Sequence, residues 1–78
     1  MPEIIQSEIY SENAKFIFDQ ENPVVGISPS TVFKIPDGSN ILNLPYLLND
    51  TEYTLTVNYD FGESSKTDHL VFKFTTGK

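Results

Sequence analysis

The segment TEYTLTVNY, residues 51–59, alternates apolar and polar side chains with the period of a half-buried β-strand. A second segment, DHLVFKFTT at residues 68–76, alternates in the same way, and the loop DFGESSKT at residues 60–67 joins the two. This pattern predicts an antiparallel hairpin with one face packed on a core. The face expected to be buried carries Tyr53, Leu55, Val57, Tyr59, Leu70, Phe72 and Phe74.

The length of 78 residues predicts a single domain, residues 1–78, with a small core. Six Phe and four Tyr supply large rigid side chains for that core. The chain has no cysteine, so stability has to come from packing and strand pairing rather than from disulfides.

The charge balance argues against two classes of partner. The formal net charge is −6, and all five basic residues are lysines. A chain of this sign without arginine has little with which to neutralise phosphates, so we expect neither nucleic acid nor an anionic membrane surface as a partner. No apolar run approaches the ~20 residues of a membrane span, and residues 1–10 lack the pattern of a signal peptide.

The first half of the chain contains several short apolar runs separated by turn residues. The run nearest the amino end is irregular and predicts an edge strand, where proline and charge are tolerated. The following runs are stopped by Pro, Asp, Asn and Gly, which favour turns and oppose helix. These predicted strands cover residues 2–10, 14–19, 24–27 and 32–35.

Residues 40–48 leave two interpretations open. Their leucines and isoleucine have a spacing compatible with one or two helical turns. Pro45 in the interior of so short a run favours a strand followed by a bend. With this strand included, the chain predicts an all-β antiparallel sandwich or small barrel of about seven strands.

The carboxyl-terminal half resembles a known family. The run LNDTEYTLTV at residues 48–57, then Asp60 and Gly62, then FKFTTG at residues 72–77, is similar to immunoglobulin-like and fibronectin type III-like domains, particularly bacterial Ig-like modules. The resemblance implies an Ig-like β-sandwich. It also implies a tyrosine corner, in which the Tyr53 hydroxyl bonds back to the backbone a few residues upstream.

The resemblance implies a non-catalytic module: a spacer, an adhesion unit, or a decoration domain of bacterial surface proteins and bacteriophage particles. The interpretation we favour is a structural or interaction module, a decoration or appendage protein of a phage virion that binds a larger protein assembly. The alternative is a carbohydrate-binding or adhesion module of a bacterial surface protein. Both place the chain at a virion or a cell surface.

Aromatic and acidic side chains beside turns are the candidate partner contacts. Phe61 lies in the predicted hairpin loop, while Tyr10 and Tyr46 lie next to other turns. An exposed aromatic ring can anchor a protein partner or stack on a sugar ring. For Phe61 we favour the alternative that it folds down and closes the end of the core, since an apolar side chain gains from burial. Asp60 and Glu63 join Phe61 in the hairpin loop and complete the set.

The chain contains few residues that could carry out catalysis. His69 is the only histidine, and the adjacent Asp68 points to the opposite face of a strand, so the two cannot form a local base and orienter pair. Ser64 and Ser65 lie in the same loop, but a triad needs a base held by a third group. We therefore predict no enzymatic activity and no cofactor, and zinc lacks its usual ligands.

Acidic residues suggest one further hypothesis. An Ig-like arrangement would bring the loop at residues 19–22 to the same end of the sandwich as the loop at residues 60–67. The gathered carboxylates would form a weak calcium site, an acidic contact surface or a solubilising rim. We favour the rim, since no loop has the alternating acidic ligands that a calcium cage requires. The carboxylates concerned are Asp19, Glu21, Asp60, Glu63 and Asp68.

Overall fold

The computed structural model describes residues 3–59 and 69–78. These residues form six β-strands and contain no helix. The strands are β1 Ile4–Ile9, β2 Ala14–Phe18, β3 Pro23–Ser28, β4 Ile41–Leu44, β5 Glu52–Tyr59 and β6 His69–Thr75.

The six strands form two three-stranded sheets. The first sheet has the order β1-β2-β4, and the second has the order β3-β5-β6. Every strand pair is antiparallel. Buried side chains of both sheets belong to one hydrophobic cluster, so the sheets pack as a two-layer sandwich. The predicted all-β antiparallel sandwich is confirmed at this level.

The hairpin of β5 and β6 has the register that alternation predicts. Its pairs run from Glu52 opposite Thr75 to Asn58 opposite His69. The inward side chains Tyr53, Leu55 and Val57 of β5 are buried. On β6, Phe74 is buried and Phe72 is half-buried at the margin of the core. The inward position expected for Tyr59 lies outside the described side chains.

The core is aromatic at its centre. The ring of Phe16 on β2 lies 5.2 Å from that of Phe74 and 5.9 Å from that of Phe72, so it contacts the facing sheet edge-on. Phe74 in turn stacks on Tyr53 with ring centroids 5.7 Å apart. Burying a side chain of this size contributes about 1.5 to 3 kcal/mol. The remaining fully buried side chains include Phe18, Leu42, Leu44, Leu55 and Val57.

The predicted strand at residues 32–35 is wrong. Only Lys34 pairs there, through an isolated bridge to Asn43 of β4. Pro29 and Pro36 flank the segment and supply no backbone N–H, so a longer ladder has no donors at its ends. The described residues therefore contain six strands rather than about seven.

Two other predictions about the first half are confirmed. β1 is an edge strand, and its pairing with β2 is irregular between Ile4 and Gln6, a local distortion that discourages association of free edges. Residues 41–44 form a strand rather than a helical turn, and the strand ends at Leu44, directly before Pro45.

The strand directions define two ends of the sandwich. The upper end contains residues 10–13, residues 45–51 and the carboxyl-terminal residues 76–78. Backbone hydrogen bonds tie these together: Leu47 N donates to Glu12 O at 2.9 Å. The lower end contains residues 19–22 and 36–40, joined by a 2.9 Å bond from the N–H of residue 22 to the carbonyl of residue 39.

Candidate functional site

A buried polar clasp closes the upper end. Leu48 N donates a hydrogen bond of 2.9 Å to the Tyr53 hydroxyl. The hydroxyl of Thr76 donates to Leu48 O at 2.6 Å and accepts from Thr51 N at 2.9 Å. Both backbone groups of Leu48 are thereby satisfied by side chains from β5 and from the end of β6. The bond expected of the Tyr53 hydroxyl is present, whereas Thr76 was not anticipated.

Three large apolar side chains are exposed at this upper end: Tyr46 and Leu48 belong to residues 45–51, and Val32 follows Thr31, whose hydroxyl bonds to the carbonyl of Tyr46. Tyr46 is 73% exposed, Val32 71% and Leu48 67%. The backbone that carries them is fixed by the clasp at Leu48 and by a 2.6 Å bond from the Thr31 hydroxyl to the carbonyl of Tyr46. We call Val32, Tyr46 and Leu48 the upper rim.

Three carboxylates share the upper end with the upper rim. Glu12 lies in the turn after β1, Asp50 precedes β5, and Glu52 is its first residue. All three are exposed. The upper end therefore carries three exposed carboxylates together with the exposed Lys78.

A second surface lies on the outward face of the first sheet, below the upper rim. It is an open groove with a volume of about 410 Å³. Small-molecule sites typically have volumes of ~300 to 1,000 Å³, so the groove has room for a ligand. We call it the outer groove, and its lining residues are Glu8, Tyr10, Asn13, Ala14, Lys15, Asn43, Leu44 and Pro45.

The floor of the outer groove is a row of polar residues held in register across the sheet. Glu8 of β1 lies opposite Lys15 of β2, and Lys15 lies opposite Asn43 of β4. The bridge from Asn43 to Lys34 extends the row beyond the sheet. Directly opposed residues of antiparallel strands point to the same face, so these four side chains share the outward surface.

Tyr10 forms one wall of the outer groove and is held there by Glu8. The Tyr10 hydroxyl donates to Glu8 Oε1 at 3.1 Å, and Gln6 Nε2 donates to Glu8 Oε2 at 2.8 Å. The hydrogen bond to Glu8, and then its negative charge, raise the pKa of Tyr10 above its ordinary value of 10.0. Tyr10 is nevertheless 52% exposed, so its hydroxyl is fixed while much of its surface stays open to solvent.

The structure brings two of the predicted contact residues to one end. Tyr10 and Tyr46 both lie at the upper end and both are exposed. The predicted contacts Phe61, Asp60 and Glu63 lie outside the described residues. β5 ends at the lower end, where its last residue pairs with the first residue of β3.

The acidic hypothesis at the lower end is only partly within the described residues. Asp19 and Glu21 lie there, and Asp19 Oδ1 accepts a hydrogen bond of 3.1 Å from Glu3 N. Asp60, Glu63 and Asp68, the other carboxylates of this hypothesis, lie outside the described residues. Within residues 3–59 and 69–78, no group of three or more His, Cys, Asp or Glu side chains is arranged to hold a metal ion.

Ser64, Ser65 and Asp68, which were considered for catalysis, also lie outside the described residues. The backbone of His69 begins β6 opposite Asn58, and the serines of the preceding loop are not described. The absence of enzymatic activity therefore stays a prediction.

Reasoning from the sequence did not find the outer groove. Lys15, Asn43 and Pro45 come from separate segments, and their meeting depends on the register of three strands. One signal was available: the short turn after β1 allows Glu8 and Lys15 to be paired as opposite charges across a hairpin.

Comparison with protein-family models, with curated proteins and with solved structures gives no match to this chain. Among the residues that the structure describes, no helix has the length and apolar character needed to cross a membrane. The functional conclusions below therefore rest on the geometry of the chain.

Proposed function

We propose that this chain is a non-catalytic Ig-like β-sandwich module that binds a larger protein assembly through its upper rim. The strand order supports the Ig-like type. Ig constant-type domains pair strands A, B, E and D in one sheet and C, F and G in the other. Numbered in chain order, β1-β2-β4 corresponds to A-B-E and β3-β5-β6 to C-F-G. The bridge from Lys34 to Asn43 lies beside β4, where strand D would pair.

The clasp gives independent support for the same type. The tyrosine corner of Ig-like sandwiches joins a Tyr at the start of strand F to the backbone a few residues upstream. Tyr53 is the second residue of β5 and accepts its bond from the N–H five residues upstream, at Leu48.

The observation that carries the binding role is the exposure of the upper rim. Single exposed apolar residues are ordinary, but three large ones at one end of so small a domain are typical of an interaction surface. The hydrogen bonds at Thr31 and Leu48 hold the backbone beneath them. A fixed surface loses little conformational entropy on binding, which favours its use as an anchor.

The charges around the rim indicate the chemistry of the partner. Glu12, Asp50 and Glu52 are exposed at the same end as the apolar side chains, and the whole chain carries −6. The complementary surface is a protein with an apolar cleft flanked by lysine and arginine. Because such steering is electrostatic, association should slow as salt concentration rises.

The biological setting we propose is a virion, with the chain as a decoration or appendage protein on a repeating protein lattice. A non-catalytic module with one fixed apolar end is suited to docking at many equivalent positions. Such a protein is recovered with the particle at a constant ratio to the lattice subunit.

The test uses a photo-crosslinking amino acid at position 46 of the full chain, with position 71 on the opposite sheet as the matched control. Val71 is 53% exposed and lies away from the upper end, on the outward face of β6. The proposal predicts that position 46 crosslinks to one protein of a purified particle at constant stoichiometry, while position 71 does not. Equal crosslinking from both positions, or from neither, would contradict it.

A further inference from the structure

We propose that the outer groove binds a saccharide, with one pyranose ring stacked on Tyr10 and its hydroxyls hydrogen-bonded by Lys15 and Asn43. This ligand site uses the outward face of the first sheet and none of the upper-rim side chains. It therefore goes beyond the protein-binding role of the rim, and the two can be tested separately.

The first argument is the chemistry of the lining. A pyranose has apolar C–H faces and a rim of hydroxyls that both donate and accept. The outer groove supplies an aromatic ring at Tyr10, an ammonium at Lys15 and an amide at Asn43. Apolar surface from Ala14, Leu44 and Pro45 also lines the groove, so it offers contacts to both the C–H faces and the hydroxyls of a pyranose.

The second argument is that the aromatic wall is already ordered. Tyr10 is half exposed, yet its hydroxyl is bound to Glu8, and Glu8 is bound in turn by Gln6. Lys15, which carries a positive charge, lies directly opposite Glu8 in the register of β1 and β2. We assign Glu8 as a positioning residue that fixes the ring of Tyr10, so little rotamer entropy remains to be lost when a sugar stacks on it.

The row of polar residues on the floor of the outer groove also fits an extended ligand. Lys15, Asn43 and Lys34 follow one another across neighbouring strands, spaced by ~4.8 Å per strand. An oligosaccharide lying across the strands would meet these donors in sequence as it leaves Tyr10. The two lysines extend the preference to sugars that carry carboxylates, and the experiment includes both neutral and acidic ligands.

The test begins with a glycan array that screens neutral and acidic sugars. The isotope-labelled full chain is then titrated with cellohexaose, mannohexaose and hexagalacturonate and followed by two-dimensional amide NMR. The proposal predicts that at least one probe shifts amides around Tyr10, Lys15 and Asn43. Tyr10→Ala should weaken that binding by about tenfold or more, and Tyr10→Phe, which keeps the ring, by about threefold at most. Asn43→Ala should also weaken it.

Val71→Ala, on the outward face of the other sheet, is the matched control and should bind as the wild type does. Tyr46→Ala should leave saccharide binding unchanged, which separates the groove from the upper rim. The absence of any shift with all three hexasaccharides and of any array signal would overturn the proposal. So would binding that survives Tyr10→Ala, or shifts confined to other parts of the chain.

Discussion

Leu48 N donates a 2.9 Å hydrogen bond to the hydroxyl of Tyr53, a side chain that is only 2% exposed. The ring of Tyr53 belongs to the core, while its hydroxyl reaches the turn that precedes its own strand. One side chain thus joins the packing of the second sheet to the backbone of the upper end.

Replacing Tyr53 by Phe should destabilise the fold. The ring would stay in the core, but Leu48 N would lose its partner, and an unpaired backbone donor costs about 1 to 2 kcal/mol. For a domain of this size, each kcal/mol lowers the melting temperature by about 4 to 8 °C. Thermal unfolding followed by circular dichroism measures the shift, and Tyr46→Phe, at an exposed position, is the control. Equal melting temperatures for wild type and Tyr53→Phe would show that the clasp contributes nothing.

Thr76 should matter as much as Tyr53. Its hydroxyl is shared between Leu48 O and Thr51 N, and the residue is 3% exposed. Thr76→Val keeps the shape but removes both bonds, so we expect a loss of about 1 to 3 kcal/mol. Urea unfolding gives the free energy directly, with the exposed neighbour Thr75→Val as the control. Thr76→Ser, which keeps the hydroxyl, should lie much closer to wild type; a Ser variant as unstable as the Val variant would argue for packing instead.

Two glycines offer a matched test of backbone conformation. Gly38 has φ of +79°, and its N–H donates to Asn22 Oδ1 at 2.8 Å, whereas Gly26 lies within β3 without a positive φ. Open space surrounds the Cβ position of each, so sterics with neighbours do not separate them. Gly38→Ala should cost about 1 kcal/mol because of its left-handed backbone.

Gly26→Ala should be neutral or should stabilise by about 0.5 to 1 kcal/mol, since it reduces the entropy of the unfolded chain. Chemical denaturation of the two variants side by side makes the comparison. A Gly38 variant as stable as the Gly26 variant would contradict the turn geometry at the lower end.

The bond between Tyr10 and Glu8 predicts a titration. Glu8 raises the pKa of Tyr10, so Glu8→Ala, which removes both the acceptor and the charge, should lower that pKa towards its ordinary value of 10.0. Because the folded pKa lies above the unfolded one, the contribution of this bond to stability is present below about pH 10 and is lost as the pH rises through the folded pKa. Ultraviolet titration of the phenolate, with Tyr10→Phe subtracted to isolate this tyrosine, measures the shift. An unchanged Tyr10 titration in Glu8→Ala would mean that the bond is not made in solution.

Local patterns were enough to predict most of the architecture. The alternation in residues 51–59 and 68–76 predicts the hairpin because period 2 decides which face is buried before any partner is known. The same logic predicts the buried positions of Phe16 and Phe18 on β2. Proline at position 45 favoured a strand and a bend over a helix for a reason equally local.

The errors and omissions were long-range. An apolar run at residues 32–35 looks like a strand, but pairing depends on what lies beside it, and only Lys34 meets β4. In the sequence, Thr76 has the pattern of a polar residue at the end of a strand. Its role appears only in the fold, where its hydroxyl bonds to the carbonyl of Leu48. The outer groove needs Glu8, Lys15 and Asn43 in one register, and no local pattern supplies the pairing of β2 with β4.

The most direct test of the proposed binding role is the equilibrium association of the chain with purified virions, the proposed partner, measured as the bound fraction after sedimentation over a range of chain concentrations. Truncating the upper rim, in Tyr46→Ala combined with Leu48→Ala, should weaken association by about 30-fold or more, because two fixed apolar anchors are lost. Val71→Ala should bind like the wild type, and the melting temperatures of all three should agree. Wild-type affinity in the rim variant would contradict the central claim that this end of the sandwich is the docking surface.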